Sequence, residues 1–183
     1  MSDVEASPPF GSLVGRIDDA FDRALDNLRG NVVTDRIFYG LSQAFNFSVG
    51  WHVINLVRLA ISPRRKREVI RLAVSLGIES LLVNQGIKRL FRRSRPAFDG
   101  HHPHGLRQPS TSSFPSGHAT SAFLAATLLA TGANRSARWT WSTLAALVSL
   151  SRPYVRVHHA SDIVGGALIG RLLGRLTRRL WPL

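Results

Sequence analysis

Stretches nearly free of charge alternate along this chain with short, densely cationic runs. Five apolar stretches can be traced, at residues 37–61, 69–87, 119–133, 139–150 and 163–173. The first carries only Arg58 as a formal charge, and the second has Arg71 near one end and Glu79 in its middle. About 20 helical residues cross the hydrocarbon core of a bilayer, so the third and fourth must borrow from their flanks. Ahead of them, residues 13–28 place Leu13, Ile17, Ala20, Phe21, Ala24, Leu25 and Leu28 on one helical stripe. Arg16, Asp18, Asp19, Asp22, Arg23 and Asp26 lie elsewhere, the pattern of an amphipathic helix on a membrane surface or against a bundle. The pattern predicts an all-α chain: an integral membrane helical bundle of about five spans plus an N-terminal amphipathic helix. A compact soluble bundle with buried helices is the alternative.

The length of 183 residues suits one domain. Residues 1–12 are expected to be a disordered N-terminus with no secretory signal pattern, and residues 13–183 a single helical domain. Gly166, Gly170 and Gly174 recur at a spacing of four, with Gly165 beside them, and would let another helix approach closely; simple flexibility is the alternative. Glu79, inside an apolar stretch, is expected to face the interior with Asn84 or a cationic group as its partner.

Charge changes the picture next. The formal net charge is +13, and of 24 basic residues all but Lys66 and Lys88 are arginine. Such a balance suits a nucleic-acid binder. No helix-turn-helix, zinc spacing or aromatic-basic ribbon accompanies it, and the arginines sit at segment ends, where anionic lipid headgroups explain them better. No cysteine is present, so there is no disulfide scaffold and the redox compartment stays undetermined. His101, His102 and His104 read as loop histidines at a site entrance in preference to a metal set.

Candidate chemistry lies in three segments. In residues 151–162, Arg152 is followed by His158 and Asp162, and a spacing of four would stack the last two on one helical face, letting the carboxylate orient the imidazole. Alone, such a pair is more often a capping or surface contact. Upstream, Pro115-Ser116-Gly117-His118 opens an apolar helix, where backbone N–H groups can bind an anionic oxygen beside a proton donor. Further upstream, Lys88 and Arg95 offer cations for the same anion. Together these are clamps (Lys88, Arg95, Arg152), neutral donors (Ser116 and the Gly117 amide), an acid (His118) and an oriented nucleophile (His158 with Asp162), the parts phosphoryl transfer needs. The carboxylates are too scattered for a metal set, and no phosphate-binding glycine-rich loop of the nucleotide type is present.

Lys88 with six residues before Arg95-Pro96, then Pro115-Ser116-Gly117-His118, then Ser151-Arg152 with five residues before His158 and three more before Asp162, resembles the three-part signature of the type 2 phosphatidic acid phosphatase superfamily, which also holds bacterial acid phosphatases and vanadium haloperoxidases. The resemblance implies that His158 attacks phosphorus to form a phosphohistidine, Asp162 orients it, and His118 protonates the leaving oxygen and later activates water. Lys88, Arg95, Ser116, Gly117 and Arg152 would hold the phosphoryl oxygens, with no metal and no cofactor. His159, where the family often has tyrosine, reads as a site-wall residue.

The expected function is therefore metal-independent hydrolysis of a membrane lipid phosphate: a phosphatidate-like monoester, a prenyl diphosphate or a prenyl-linked sugar phosphate. The alternatives are a soluble acid phosphatase or haloperoxidase of the same superfamily, and a non-catalytic basic membrane or nucleic-acid binding module. The expected partners are the lipid substrate and the membrane, not nucleic acid, with homo-oligomer formation left open. If residues 64–67 are cytoplasmic, strict alternation puts the loops at 88–115 and 151–162 together on the external face of the cell membrane.

Overall fold

The computed structural model describes residues 11–97, 106 and 109–183, and within them the secondary structure is helical. Of the N-terminus expected to be disordered at residues 1–12, Gly11 and Ser12 are helical and the rest falls outside the described residues, as does the role of His101, His102 and His104. The helices are α1 (Gly11–Asp26), α2 (Val32–Ala44), α3 (Val49–Ile61), α4 (Lys66–Leu81), α5 (Lys88–Leu90), α6 (Gly117–Leu129), α7 (Arg135–Tyr154) and α8 (Ala160–Leu180).

Helix α6 is the centre of the bundle. Its composition of Ala, Ser, Thr and Leu leaves it apolar on every side, and Ala119, Ala122, Leu124, Ala125 and Leu129 are buried. Around it, Trp51 of α3, Leu72 and Leu76 of α4, and Ala145 and Val148 of α7 complete one core. Helix α8 packs closest, and its glycines are the reason. A Cβ on Gly170 would lie 2.2 Å from the Thr120 carbonyl oxygen, and one on Gly166 would lie 2.6 Å from that of Ser116. The spacing of four thus serves helix contact, as the sequence suggests.

The expected continuous span at residues 37–61 is not one helix. Helices α2 and α3 are bent by 63° at a break where Phe47 (φ 51°) and Ser48 (φ 61°) take left-handed backbone. Phe45 turns inward there and meets Trp51, ring centroids 4.8 Å apart. Gly50 makes room for it, since a Cβ would lie 2.7 Å from the Phe45 ring. Helix α2 consequently lies against the carboxyl end of α7, with Thr34 bonded to Tyr154 and Ser42 to Arg152. No single described helix is long and apolar enough to cross a membrane, and the bent α2–α3 pair passes that test by length and composition.

Two further expectations are resolved between their alternatives. In α1 Leu13 and Ile17 of the apolar stripe are exposed, Leu25 packs against the cluster of Tyr39 and Tyr154, and Asp18 is the buried residue. The buried Asp18 receives Arg93 and Ser161, so the polar side of α1 holds the helix to the bundle. Glu79 is buried as expected, and of its two expected partners it is the cationic one, Lys88, whose charge acts on it, while Asn84 donates to Ser80.

Candidate active site

The three motifs converge because three helix ends meet. Lys88 follows the wide π turn at Leu82–Ile87, which continues α4. In a regular α-helix the nine steps from Glu79 to Lys88 would turn through about 900°, placing the two on opposite faces. The π turn rotates less per residue, and both side chains line one cavity. Gly117 and His118 open α6 behind the N-cap Ser116. Arg152 ends α7, and His158 lies in the turn before α8, which contributes Asp162 from its first turn.

Lys88, Arg95, Gly117, His118, Arg152 and His158 all line a cavity of about 450 Å³. Ser116 is not among its lining residues: it is fully buried, and its hydroxyl accepts from the Ala119 N–H at 3.4 Å as the cap of α6. Adjoining it, Arg89, Phe91 and Arg92 line a second cleft of about 580 Å³ that shares Lys88 and Arg95.

His158 and Asp162 are in contact, but not on one helical face. His158 precedes the helix, and Asp162 reaches back to it as a cap, accepting from the His159 N–H at 2.8 Å. Asp162 Oδ2 also accepts from His158 Nδ1 at 3.4 Å and from the Ser113 hydroxyl, while Arg93 donates to Oδ1 at 2.5 Å. Burial opposes ionisation of Asp162, but these hydrogen bonds and the Arg93 charge outweigh it and hold its pKa well below the usual carboxylate range. With Nδ1 committed to an acceptor-only carboxylate, Nε2 is the basic nitrogen, and it lies 3.5 Å from Arg95 Nη1. Burial, with the charges of Arg152 and Arg95, brings the His158 pKa down to about 3 against the opposing pull of Asp162. His158 is therefore a neutral imidazole at physiological pH, as a nitrogen nucleophile must be.

His118 Nε2 lies 3.2 Å from the Ser42 carbonyl oxygen, which can only accept, so Nε2 carries the proton and Nδ1 is basic. Burial first and Arg152 second push its pKa well below the ordinary histidine value. A bound phosphate dianion would counter the repulsion from Arg152 and Lys88 and make His118 easier to protonate.

The cations have spare donors. Arg152 is buried and gives Nη1 to the Ser42 hydroxyl, but its Nε has no partner among the described residues. Arg95 is held in place by Nη1 to the Val157 carbonyl (2.6 Å) and by Nε and Nη2 to the Thr111 carbonyl (3.2 and 3.0 Å). Lys88 is pushed down to about 8 by burial and by the neighbouring Arg95 and Arg152. Three crowded cations with a buried donor that no described residue uses are the makings of an anion site.

Arg93, Ser113 and Asp18 are absent from the sequence-based site. Arg93 is 7% exposed and joins Asp162 to Asp18, donating to the latter at 2.5 Å, and to the Ser161 hydroxyl at 2.6 Å. Within the motif run Arg92-Arg93, nothing but burial distinguishes the second arginine from the exposed first.

Residues 68–182 match the model of the PAP2 superfamily. The chain belongs to that superfamily, and it is a phosphoric ester hydrolase. Among curated relatives it is similar to the decaprenylphosphoryl-5-phosphoribose phosphatase of Mycobacterium tuberculosis, 33% identical over 162 residues, covering 86% of this chain and 84% of the relative. The protein of the same name from Mycolicibacterium smegmatis is 34% identical over 134 residues, covering 69% of this chain and 67% of that one. Among solved structures, the transmembrane PAP2 type phosphatidylglycerolphosphate phosphatase of Bacillus subtilis superposes with a TM-score of 0.72 at 25% identity, over 92% of this chain and 86% of that one. Aquifex aeolicus LpxE gives a TM-score of 0.71 at 28% identity, over 89% and 95%.

Proposed function

We propose that this protein is an integral membrane phosphatase that hydrolyses a lipid phosphate without a metal ion, through a phosphohistidine on His158. The convergence of Lys88, Arg95, Arg152, the α6 N-terminus and the two histidines on one cavity carries the reading. Residues 13–183 act as one phosphatase domain. Lys88, Arg95, Arg152 and the Gly117 N–H hold the phosphoryl oxygens, replacing a metal's charge as the transition state forms. Ser116 contributes by setting that N-terminus through its cap.

His158 Nε2 attacks phosphorus while the P–O ester bond breaks, and the leaving oxygen takes a proton from protonated His118. Water then attacks the phosphohistidine, giving its proton to His118 as the P–N bond breaks, and inorganic phosphate leaves. Asp162 holds Nδ1–H throughout and stabilises the imidazolium-like charge.

A membrane setting is supported by the outer stripes of three helices. Val49, Val53, Leu56 and Val57 of α3, Ile70, Val74 and Ile78 of α4, and Val164, Leu168 and Leu172 of α8 are exposed. In water such a surface is unfavourable; in lipid it is the required one. The exposed Leu13 and Ile17 of α1 fit the headgroup boundary beside the site. The active site then opens on the external face of the cell membrane, the side opposite Arg64 and Arg65.

Phosphate release from purified protein tests the reading, using a panel of phosphatidate, phosphatidylglycerol phosphate, prenyl diphosphate and prenylphosphoryl phosphoribose in EDTA. Turnover should persist in chelator and be inhibited competitively by orthovanadate, a mimic of the five-coordinate phosphoryl group. Loss of activity in EDTA with recovery on adding magnesium would reject the metal-independent mechanism.

A further inference from the structure

The larger of the two cavities stands beside the reaction and not within it. This cleft of about 580 Å³ is walled by Lys88, Arg89, Arg92, Arg93 and Arg95, and no carboxylate stands among its described lining residues. The run that supplies the wall, residues 91–97, is not helical, and its side chains point alternately in and out: Arg93 is buried and Arg95 half-buried, while Arg92 and Ser94 are exposed. Arg93 is occupied by Asp18 and Asp162. Arg89, also exposed, gives one terminal nitrogen to Gln85 Oε1 at 2.5 Å, and Arg92 has no partner among the described residues. Phe91 anchors the start of the run against Phe114, ring centroids 4.8 Å apart.

A run of cations on a flat face attracts any anionic surface. Here the cations line a concavity, which focuses their field, and its inner wall includes the same Lys88, Arg95 and Thr111 that line the phosphoryl pocket. An anion can therefore pass between the two cavities without leaving Lys88 and Arg95. Hydrolysis leaves a phosphate held by three cations, and a firm hold on the phosphoryl group slows its departure. Cations further out on the same path offset that cost, a useful property where product release limits turnover.

We propose that Arg89 and Arg92 form a second phosphate-binding subsite in this cleft, one step outward from the phosphoryl pocket and sharing Lys88 and Arg95 with it. The proposal rests on the lipid phosphatase reading for its source of phosphate. Two sources have this chemistry: the inorganic phosphate that departs in every turnover, and a second phosphoryl group on a substrate such as a prenyl diphosphate.

Methylenediphosphonate and methylphosphonate, titrated by calorimetry into the purified protein in neutral detergent, test the subsite. The first carries two phosphoryl groups and the second carries one. The wild-type protein should bind the diphosphonate on the order of tenfold or more tighter, through added hydrogen bonds between charged groups. Arg89→Gln with Arg92→Gln should bring that ratio toward one. Arg16→Gln with Arg23→Gln, which removes the same charge from exposed positions on α1, should keep it. A wild-type ratio near one, a ratio that survives in the first variant, or an equal fall in both variants would overturn the subsite, the last by tracing the preference to the protein's overall charge. These affinities need no turnover, so they are separate from the lipid phosphatase reading, which fails if no lipid phosphate is hydrolysed. Farnesyl diphosphate and farnesyl phosphate then assign the source. In the Arg89→Gln/Arg92→Gln variant, a fall of kcat/KM for the diphosphate alone gives the subsite to the substrate. A fall of kcat on both, with phosphoenzyme formation unchanged, gives it to the departing product. Unchanged kinetics on both would remove both sources, and the subsite with them.

Discussion

Asp18 and Arg93 are 75 residues apart in the chain and 2.5 Å apart in space, buried together behind the candidate nucleophile. Arg93 holds Asp162 with its other terminal nitrogen, so the N-terminal helix reaches the orienting carboxylate through a single side chain. Removing Arg93 strands two buried carboxylates, a loss of about 3–5 kcal/mol in typical cases. Asp18→Asn keeps the shape and should cost less, about 1.5–3 kcal/mol for a hydrogen bond to a charged group. The expected outcome is a Tm lowered by several degrees in Asp18→Asn and further in Arg93→Ala, with kcat falling more than KM changes. Thermal unfolding and steady-state kinetics in detergent check it; unaltered kcat in both would remove this pair from the site.

His158→Ala should abolish turnover while the protein still folds, because its ring nitrogen is the attacking atom. His118→Ala should spare substrates with good leaving groups in the first step, yet let the phosphoenzyme accumulate because water is no longer activated. Labelling with a radioactive lipid phosphate, quenched in alkaline dodecyl sulfate, should show acid-labile, base-stable phosphoprotein in His118→Ala and none in His158→Ala. Label of equal intensity in both variants would place the nucleophile elsewhere.

The alkaline side of the pH profile should report Lys88. Its pKa is depressed to about 8, so it carries its charge below that pH and loses it as the pH rises through it. Substrate phosphate binding should weaken accordingly, and kcat/KM, which reflects the free enzyme, should fall above about pH 8. In Lys88→Arg the guanidinium stays protonated, so the alkaline limb should move upward. His158, depressed to about 3, sets no limb in the neutral range. An unmoved alkaline limb in Lys88→Arg would assign it to another group.

Gly170→Ala should be strongly disruptive for a change of one methyl group. The added carbon would lie 2.2 Å from a backbone carbonyl of α6, which no rotamer can relieve. A cost of about 1–3 kcal/mol or more is expected, together with lost activity, since α6 carries His118 and α8 carries Asp162. Gly77→Ala, with nothing within 4 Å of the added carbon, should be neutral or mildly stabilising through helix propensity. Thermal inactivation of the two variants side by side distinguishes close packing from a general intolerance of substitution.

Sidedness is open to direct labelling, because the chain has no cysteine. A cysteine at the exposed Ala97, beside the site, should react with an impermeant maleimide on intact cells, and one at the exposed Ser136, in the first turn of α7, should not. The reverse pattern would place the site on the cytoplasmic face. Recovery of the chain in the soluble fraction without detergent would reject the membrane setting.

Local order was legible in the chain because it depends on local spacing. The apolar periodicity marked the helices, and the Pro-Ser-Gly-His run marked the start of α6, where a cap and free N–H groups must stand. The three motifs could be grouped because phosphoryl transfer demands their residue types together. Glycines at a spacing of four announced a close helix contact, though not its partner, α6. What spacing could not convey is how side chains far apart in sequence are distributed in depth. A bend of 63° interrupts the stretch at 37–61 because Phe45 is better buried against Trp51 than carried along a straight helix. Asp18, one acid among several on α1, is buried because Arg93 and Ser161 await it. His158 and Asp162 meet through a capped turn, and a π turn sets Glu79 and Lys88 on the same cavity. A buried charge is tolerated only where partners from other elements compensate it, and which elements meet is settled by packing of the whole chain.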